Sequence, residues 1–398
     1  MMAKSSGSGA WTKDAARDPR RVHWMELFFD LVFVAFVGQL AHGIHGDPGW
    51  VEFGTFVLLF FPAWWAWVNM VSVVNLLPAL SSRRLGIAML AAMAAASVMA
   101  AAAPGAFGER AWAFSLANAA MRVVLLVLWL HLHRQRSGGT PRRIWTYNGG
   151  TALLWLVAAF LPLYVALILW AASIAIEVGM VAVSGRLWPE RGVGGINIEH
   201  ASERLGLFVI IVLGESVLTI VSEVSNDWSP GAGIAGALGF LIVALLGWAF
   251  FQYGTGAITA GLERLQSQSD FSGILQTTLF LPFLLVVGVT AIAAAIATAI
   301  PAPFEHLPLG SGVSLGGGIA LFYACNAVVA LRYGQPLRMV VPWAVPAVVV
   351  ASLLIPINAV VSAAVILVSA VVLLLLVTAY VEFRRRRRLA DGSLRLLT

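Results

Sequence analysis

Long apolar windows recur along this chain and decide what it can fold into. A bilayer core of roughly 30 Å requires about 20 mostly apolar residues per helix, and about twelve windows meet that requirement. They are 24–44, 50–74, 85–103, 111–131, 146–161, 163–184, 201–223, 232–259, 271–299, 312–331, 337–355 and 357–382. The sequence therefore predicts an all-α polytopic membrane protein with about 12 transmembrane helices.

The composition excludes several other classes of protein. Hydrophobic residues make up 60% of the chain and charged residues only 11%, against about 45–50% and 25% in soluble domains. A water-soluble enzyme, a disordered chain and a nucleic-acid-binding module are therefore excluded, and no nucleic-acid partner is expected. The single cysteine, Cys325, excludes a disulfide framework. No small-residue cleavage site follows the first window, so we expect it to be a retained span after a polar tail, 1–22.

Basic residues predict the orientation of the spans. If the N-terminus is cytoplasmic, all but three of the 25 Lys and Arg residues lie on the cytoplasmic side. The exceptions are Arg110, in an external loop, and Arg122 and Arg204, inside spans. This asymmetry follows the positive-inside rule and favours an even number of spans with both termini cytoplasmic. We expect the Arg384–Arg388 cluster to lie on anionic lipid.

Two short motifs indicate an internal repeat. The first and seventh windows both open with His-x-x-Glu, at His23 and at His200, and Gly38-Gln39 further along corresponds to Gly214-Glu215. Each half is expected to end in a helical hairpin split by a proline, Pro162 or Pro356. Six spans per half would give two parallel repeats, as in many transporters. The predicted segments are a tail 1–22, a first half 23–184, a linker 185–199, a second half 200–383 and a basic tail 384–398.

Ionisable residues inside spans are costly, which makes each one a functional candidate. His23, Glu26 and Asp30 share one helical face, because they are spaced three and four residues apart. Arg204 and Glu215 also share a face, about 16 Å apart. Arg122 lies deep in the fourth window, where we expect it to pair with Asp30 or Glu26. The candidate ion or substrate pathway comprises Glu26, Asp30, Arg122, Glu203, Arg204 and Glu215.

The motif regions resemble a known family. Residues 24–34 read WMELFFDLVFV and residues 200–216 read HASERLGLFVIIVLGES. Both resemble signature stretches of the bacterial low temperature requirement A (LtrA) family, and the length and hydropathy fit over nearly the whole chain. The resemblance implies a multi-span protein of the bacterial plasma membrane, linked by name to growth in the cold. It supplies no settled reaction or substrate.

Three functions remain open at this point. The first is a secondary transporter or channel with a proton- or cation-linked site and no cofactor, in which helix breaks at Gly254–Gly256, Pro282 and Pro342 with Pro346 expose backbone groups. The second is a membrane-embedded enzyme that holds a divalent metal ion. Its ligands would come from His23, Glu26, Asp30, His200 and Glu203. The third is a non-catalytic stress-response or lipid-sensing protein.

Overall fold

A computed structural model of the protein describes residues 24–77, 82–136, 142–187, 197–267 and 271–390. His23 and the basic residues of the N-terminal tail lie outside these ranges. The described chain is helical and has no strand. Eleven of its helices are long and apolar enough to cross a membrane. The fold is that of a polytopic all-α membrane protein, as the apolar windows predict.

The helices follow one another with short connections. The first group comprises α1 (Trp24–His42), α2 (Trp50–Leu76), α3 (Ser82–Ala102), α4 (Ala111–Arg136), α5 (Arg142–Ile144), α6 (Gly150–Ala158) and α7 (Leu163–Leu187). The second group comprises α8 (Ile198–Asn226), α9 (Pro230–Ala249), α10 (Thr255–Ser267), α11 (Phe271–Ala299), α12 (Leu309–Arg332), α13 (Leu337–Ile357) and α14 (Ala363–Ala390).

The window 146–161 forms a shorter helical segment than the others and is not among the eleven. It consists of α5, a π-helical turn at Trp145–Gly149, and α6. A turn then reverses the chain, and α7 begins just after Pro162 and packs against α6. The predicted hairpin at Pro162 is therefore present.

Prolines interrupt the second group less than expected. Pro282 lies inside the continuous helix α11, and Pro342 and Pro346 lie inside α13. The predicted breaks at these residues are wrong, because neighbouring helices and local adjustments compensate for the hydrogen bond that each proline removes. α13 also continues through Pro356, so the last hairpin turns at 358–362 instead. At the glycine-containing stretch 254–256, a π-helical segment, Phe250–Gly254, joins α9 to α10.

The two helix groups meet along α1. This helix packs against α2 and α3 of its own group and against α8 and α11 of the other. Both α1 and α8 begin at the end of the bundle where α14 ends, which we call the basic side. Arg83, Arg84, Arg134, Arg136, Arg264, Arg332, Arg338 and Arg384–Arg388 lie at helix ends on this side. Arg110 lies in a connection on the opposite side.

Small residues bring α11, α12 and α13 close together. A Cβ on Gly318 would lie 2.7 Å from the carbonyl oxygen of Gly288, and one on Gly316 would lie 2.7 Å from that of Ala351. Backbone contact of this kind is typical of helix packing in membranes, where small residues replace the hydrophobic drive for association. These helices therefore form a compact support beside α1 and α8.

Candidate functional site

The first turns of α1 and α8 lie against each other near the basic side. Asn197 caps α8, since its side chain accepts a hydrogen bond from the backbone N–H of His200 at 3.1 Å. One helical turn further along α8 lies Arg204, and its side chain projects towards α1. The two sequence motifs thereby contribute to one cluster of buried polar groups, which we call the α1–α8 cluster: Glu26, Asp30, His200 and Arg204.

Arg204 joins the two carboxylates of α1. Its guanidinium donates to Oδ1 of Asp30 at 2.5 Å and lies 3.2 Å from Oε2 of Glu26. It also donates to the backbone carbonyl of Glu26 at 3.3 Å. Charge-assisted contacts of this kind are the strong ones in a protein interior. Arg204 is therefore the central cation of the cluster.

His200 forms the outer edge of the cluster. Its Nε2 lies 3.3 Å from the same Glu26 oxygen that faces Arg204, and its Nδ1 lies 3.4 Å from the amide nitrogen of Asn75. Asn75 in turn bonds the backbone of Asn197 twice, accepting from its N–H and donating to its carbonyl, both at 2.8 Å. The end of α2 therefore holds the start of α8 in place.

Aromatic side chains of α2 and α8 close the cluster from the bundle core. The indole N–H of Trp67 donates to Oδ1 of Asp30 at 2.7 Å. The Trp67 ring also packs against Phe208, with centroids 4.5 Å apart, and against Trp64 at 5.0 Å. Arg204 lies 6.0 Å from the Trp67 ring centroid, within the range of a cation–π contact. These rings separate the charges from the apolar core.

The cluster is buried and carries unequal charges. Asp30 and Arg204 are 0% exposed, His200 2% and Glu26 5%. Two carboxylates face one guanidinium, so the described residues of the cluster carry one excess negative charge unless His200 or a carboxylate holds a proton. An uncompensated charge in a membrane interior is costly. The arrangement therefore favours the binding of one proton or one other cation.

The remaining acidic candidates of α8 lie away from this cluster. Glu203 is exposed on the first turns of the helix. Glu215 is half-buried further towards the opposite side, where its carboxylate lies directly against Gly38 of α1 and interacts electrostatically with His42. The α1–α8 interface therefore carries ionisable groups at two levels, separated along α8 by about 16 Å at the usual rise per residue.

Two histidines mark the opposite end of this interface. The rings of His42 and His45 are 5.0 Å apart. Burial of the imidazole, together with the nearby His42, lowers the pKa of His45 to about 4. His45 belongs to the connection between α1 and α2, which is bound to α11 and α12. Its neighbour Gly46 donates its N–H to Thr298 at 2.9 Å and accepts from the Ser311 hydroxyl at 2.5 Å.

Arg122 does not pair with Asp30 or Glu26, and that expectation is wrong. Its guanidinium binds Glu177 of α7 through two nitrogens, with contacts of 3.0 and 3.1 Å. It also donates to Asn118 at 2.9 Å and to the carbonyl of Pro62 at 3.3 Å. Arg122 extends from α4 towards α2 and α7, so α7 supplies the carboxylate that this buried cation needs. The pair is balanced in charge.

No three His, Cys, Asp or Glu residues come close enough to hold a metal ion in the part of the chain that the structure describes. Of the five ligands considered for a metal site, His23 lies outside the described ranges and Glu203 is exposed. Of the other three, Glu26 contacts His200, and Glu26 and Asp30 each contact Arg204. A guanidinium at this position already supplies the positive charge that a metal would bring.

Two residues of these buried centres are not among the sequence candidates for a site, and the sequence does not predict the partner of a third. Trp67 and Asn75 are neutral residues of α2, and Glu177 is not assigned as a partner of Arg122. A signal exists for Glu177, because a buried arginine requires a carboxylate and Glu177 lies inside a predicted span. Trp67 and Asn75 carry no such signal, since tryptophan and asparagine in apolar windows are also common packing residues.

The fold and the buried charge cluster define a polytopic all-α membrane protein with an intramembrane polar site. The family model for the bacterial low temperature requirement A protein (LtrA) matches residues 21–379, and the chain belongs to this family. It is also similar to a Rhizobium meliloti (strain 1021) protein named "Uncharacterized protein RA0937", with 30% identity over 257 residues. That match covers 61% of this chain and 61% of the relative's length.

Proposed function

We propose that the protein is a proton-linked secondary transporter or channel in which the α1–α8 cluster binds the proton. The observation that carries this proposal is the charge count of the described residues in the cluster: two buried carboxylates lie beside one buried arginine. Such a site gains from binding one positive charge and returns to an excess negative charge when it releases it. Binding and release are the two steps that a proton pathway requires.

The Glu26–His200 pair is the place for that proton. Asp30 contacts the guanidinium at 2.5 Å and receives a further bond from Trp67. Glu26 shares one oxygen between Arg204 and His200. A proton on the imidazole of His200 balances Glu26 without disturbing the Asp30–Arg204 contact. Glu199 and Glu203 of the same helix are exposed to the surroundings and do not enter this balance.

Glu215 supplies the second level of the pathway. It is half-buried beside Gly38 and near His42, towards the opposite side of the bundle. Between the two levels, α1 and α8 carry buried apolar side chains such as Phe33 and Val212. A small rearrangement of α1 against α8 would therefore be needed to connect them, as in alternating access.

The membrane setting follows the charge asymmetry. We propose that the basic side faces the cytoplasm, that the membrane is the bacterial plasma membrane, and that Arg384–Arg388 lie on its anionic lipid. The role in cold growth that the family name suggests would then concern transport through a stiffened bilayer.

A metal-dependent enzyme is a second function that the same cluster could serve, and the contacts of Arg204 support it less well. Arg204 occupies the position beside Glu26 and Asp30 that a divalent ion would take, and a guanidinium would repel such an ion. Metal analysis of the purified protein separates the two functions. Stoichiometric iron, zinc or manganese that is lost in His200→Gln would favour the enzyme over the transporter.

Proton flux into proteoliposomes tests the proposal. Purified protein is reconstituted with a pH-sensitive dye inside the vesicles, and a membrane potential or a pH gradient is imposed. We expect the internal pH to change faster than in protein-free vesicles. We also expect Glu26→Gln to reduce the flux to the protein-free rate, since it removes the excess negative charge.

Glu203→Gln is the matched control, because it makes the same chemical change on an exposed carboxylate close to the cluster in sequence. It should leave the flux unchanged. Absence of flux from the folded wild-type protein under every gradient would overturn the proposal. Equal flux from wild type and Glu26→Gln would remove the cluster from the pathway.

A further inference from the structure

A groove of about 500 Å³ runs between α13 and α14. Pro342, Pro346 and Val350 line it from α13, and Val372, Leu376 and Tyr380 line it from α14. Several of the residues that line it are exposed on the side of the bundle, including Val350 and Leu376. The groove therefore opens sideways, towards the space that lipid occupies around a membrane-spanning bundle.

A groove remains between the two helices because of the residues that pack at their interface. α13 buries a narrow stripe of mostly small residues, including Ala344, Ala347 and Ala351, against its neighbours. Its prolines lie beside that stripe and lack the N–H of an ordinary residue. α14 turns its leucines and valines partly into the bundle and partly into the groove. Neither helix offers a side chain that fills the space between them.

The length and position of the groove match one lipid chain. From Val368 to Tyr380 the groove follows α14 for about 18 Å at 1.5 Å per residue. The hydrocarbon half of a bilayer is roughly 15 Å thick. Tyr380 ends the groove on the basic side, and tyrosine is enriched at the level of lipid headgroups. A chain in this groove would thus belong to the leaflet on the basic side.

Positive charge lies where the headgroup of such a lipid would be. Arg385 and Arg386 are paired with Glu382, at 3.1 and 2.8 Å. Arg384 and Arg387 instead lie over aromatic rings, those of Tyr380 at 6.0 Å and Phe383 at 4.5 Å. Both arginines are exposed. Arg384 lies about one turn and Arg387 about two turns beyond Tyr380. No described carboxylate is paired with either, so both can present positive charge to an anion.

We propose that this groove binds an acyl chain of an anionic phospholipid from the basic-side leaflet, with Arg384 and Arg387 at its headgroup phosphate. This is a specific lipid site with a groove for the acyl chain inside the membrane. It differs from the general attraction of the Arg384–Arg388 cluster for anionic lipid at the membrane surface. It does not depend on proton transport, and either proposal can fail without the other.

Quenching of Trp343 by brominated lipid tests the site. Trp343 lines the groove, and its contribution is the difference in fluorescence between the wild-type protein and Trp343→Phe. The protein is reconstituted in mixed phosphatidylglycerol and phosphatidylcholine, with bromine on the acyl chains of one lipid or the other. We expect stronger quenching of the Trp343 contribution when the anionic lipid carries the bromine at the same mole fraction.

Two pairs of variants locate the bound lipid. Val350→Phe fills the groove and should reduce the quenching, whereas Val349→Phe, on the adjacent exposed residue that does not line it, should not. Arg384→Gln and Arg387→Gln should each reduce the preference for the anionic lipid by about fivefold. Arg83→Gln, on an exposed arginine at the same side of α3, is the charge control.

A second measurement keeps the test independent of fluorescence. Native mass spectrometry after detergent exchange should show phosphatidylglycerol retained by the wild-type protein and lost from Val350→Phe. Equal quenching by both brominated lipids, or an equal effect of Val349→Phe and Val350→Phe, would overturn the proposal. Retention of the two lipids in proportion to their abundance would do so as well.

Discussion

Arg204 and Asp30 are 174 positions apart in the chain and lie 2.5 Å apart in the fold, with neither side chain exposed. This contact joins the first turns of α1 and α8 and places the two sequence motifs in one cluster. Because Arg204 also faces Glu26, its removal would leave two carboxylates buried without their main counter-charge. The contact is therefore central both to the stability of the bundle and to the proposed proton site.

Arg204→Met tests the structural part of this account. Breaking a buried ion pair by removing one partner typically costs about 3–5 kcal/mol. We expect a loss of that size in the free energy of unfolding, measured by denaturant titration in mixed micelles. Arg83→Met, on an exposed arginine, should change the stability by less than about 0.5 kcal/mol. Equal stabilities of the two variants would contradict the central position of Arg204.

The second buried pair predicts a separate effect on stability. Glu177→Ala leaves the Arg122 guanidinium buried at 1% exposure without its carboxylate, so we expect a loss of about 3–5 kcal/mol. Glu109→Ala breaks an exposed pair with Arg110 and should cost about 0–1 kcal/mol. Because Arg122 lies outside the α1–α8 cluster, Glu177→Gln protein that remains folded should retain its proton flux. Loss of flux from such protein would place Arg122 in the pathway after all.

The close contact between Gly38 and Glu215 predicts that a larger residue at position 38 displaces the Glu215 carboxylate. A Cβ at Gly38 would clash with Oε1 of Glu215, whereas one at Gly214 would meet nothing within 4 Å. Gly38→Ala should therefore displace the carboxylate and lower proton flux in proteoliposomes, and Gly214→Ala should not. Glu215→Gln should lower the flux at least as much as Gly38→Ala. Normal flux in Gly38→Ala and Glu215→Gln would remove the second level from the proposed pathway.

His45 predicts that the connection between α1 and α2 loosens in acid. Its pKa is about 4 in the folded protein and near 6.5 in an open loop. Between these values the open loop binds a proton that the docked loop does not, so docking weakens as the pH falls and levels off below about 4. Hydrogen exchange of residues 43–49 should therefore become faster as the pH falls over this range. The measured rates are first corrected for the intrinsic pH dependence of amide exchange.

His45→Asn is the control for this effect, since it removes the titrating ring that lies beside His42. The variant should lose most of the acceleration above pH 4. An unchanged pH dependence in His45→Asn would show that His45 is not the group responsible.

The sequence predicts the helices of this fold better than their partners. The window 271–299 coincides with α11, because an apolar run long enough to cross a bilayer has few other structures available. The proline at 356 predicts a hairpin, but the turn follows it, since a helix can continue through a proline when packing compensates. The internal duplication stays a prediction, as does the even number of spans.

The site shows the same difference between local and long-range information. Spacing places Glu26 and Asp30 on one face, because helical geometry fixes which residues of a single helix are neighbours. It cannot choose the helix that faces them, and Arg122 and Arg204 are equally plausible partners on hydropathy alone. In the structure, Arg204 pairs with Asp30 of α1, and Arg122 pairs with Glu177 of α7. Trp67 and Asn75 become part of the site only because that arrangement of helices places α2 beside the cluster.

A double-mutant cycle of proton flux at Glu26 and His200 tests the central claim most directly. If the pair shares one transported proton, Glu26→Gln and His200→Gln should each reduce flux to the protein-free rate, and the double variant should lose nothing further. All three proteins must remain folded by circular dichroism and size-exclusion chromatography. Wild-type flux in a folded His200→Gln or Glu26→Gln protein would contradict the account.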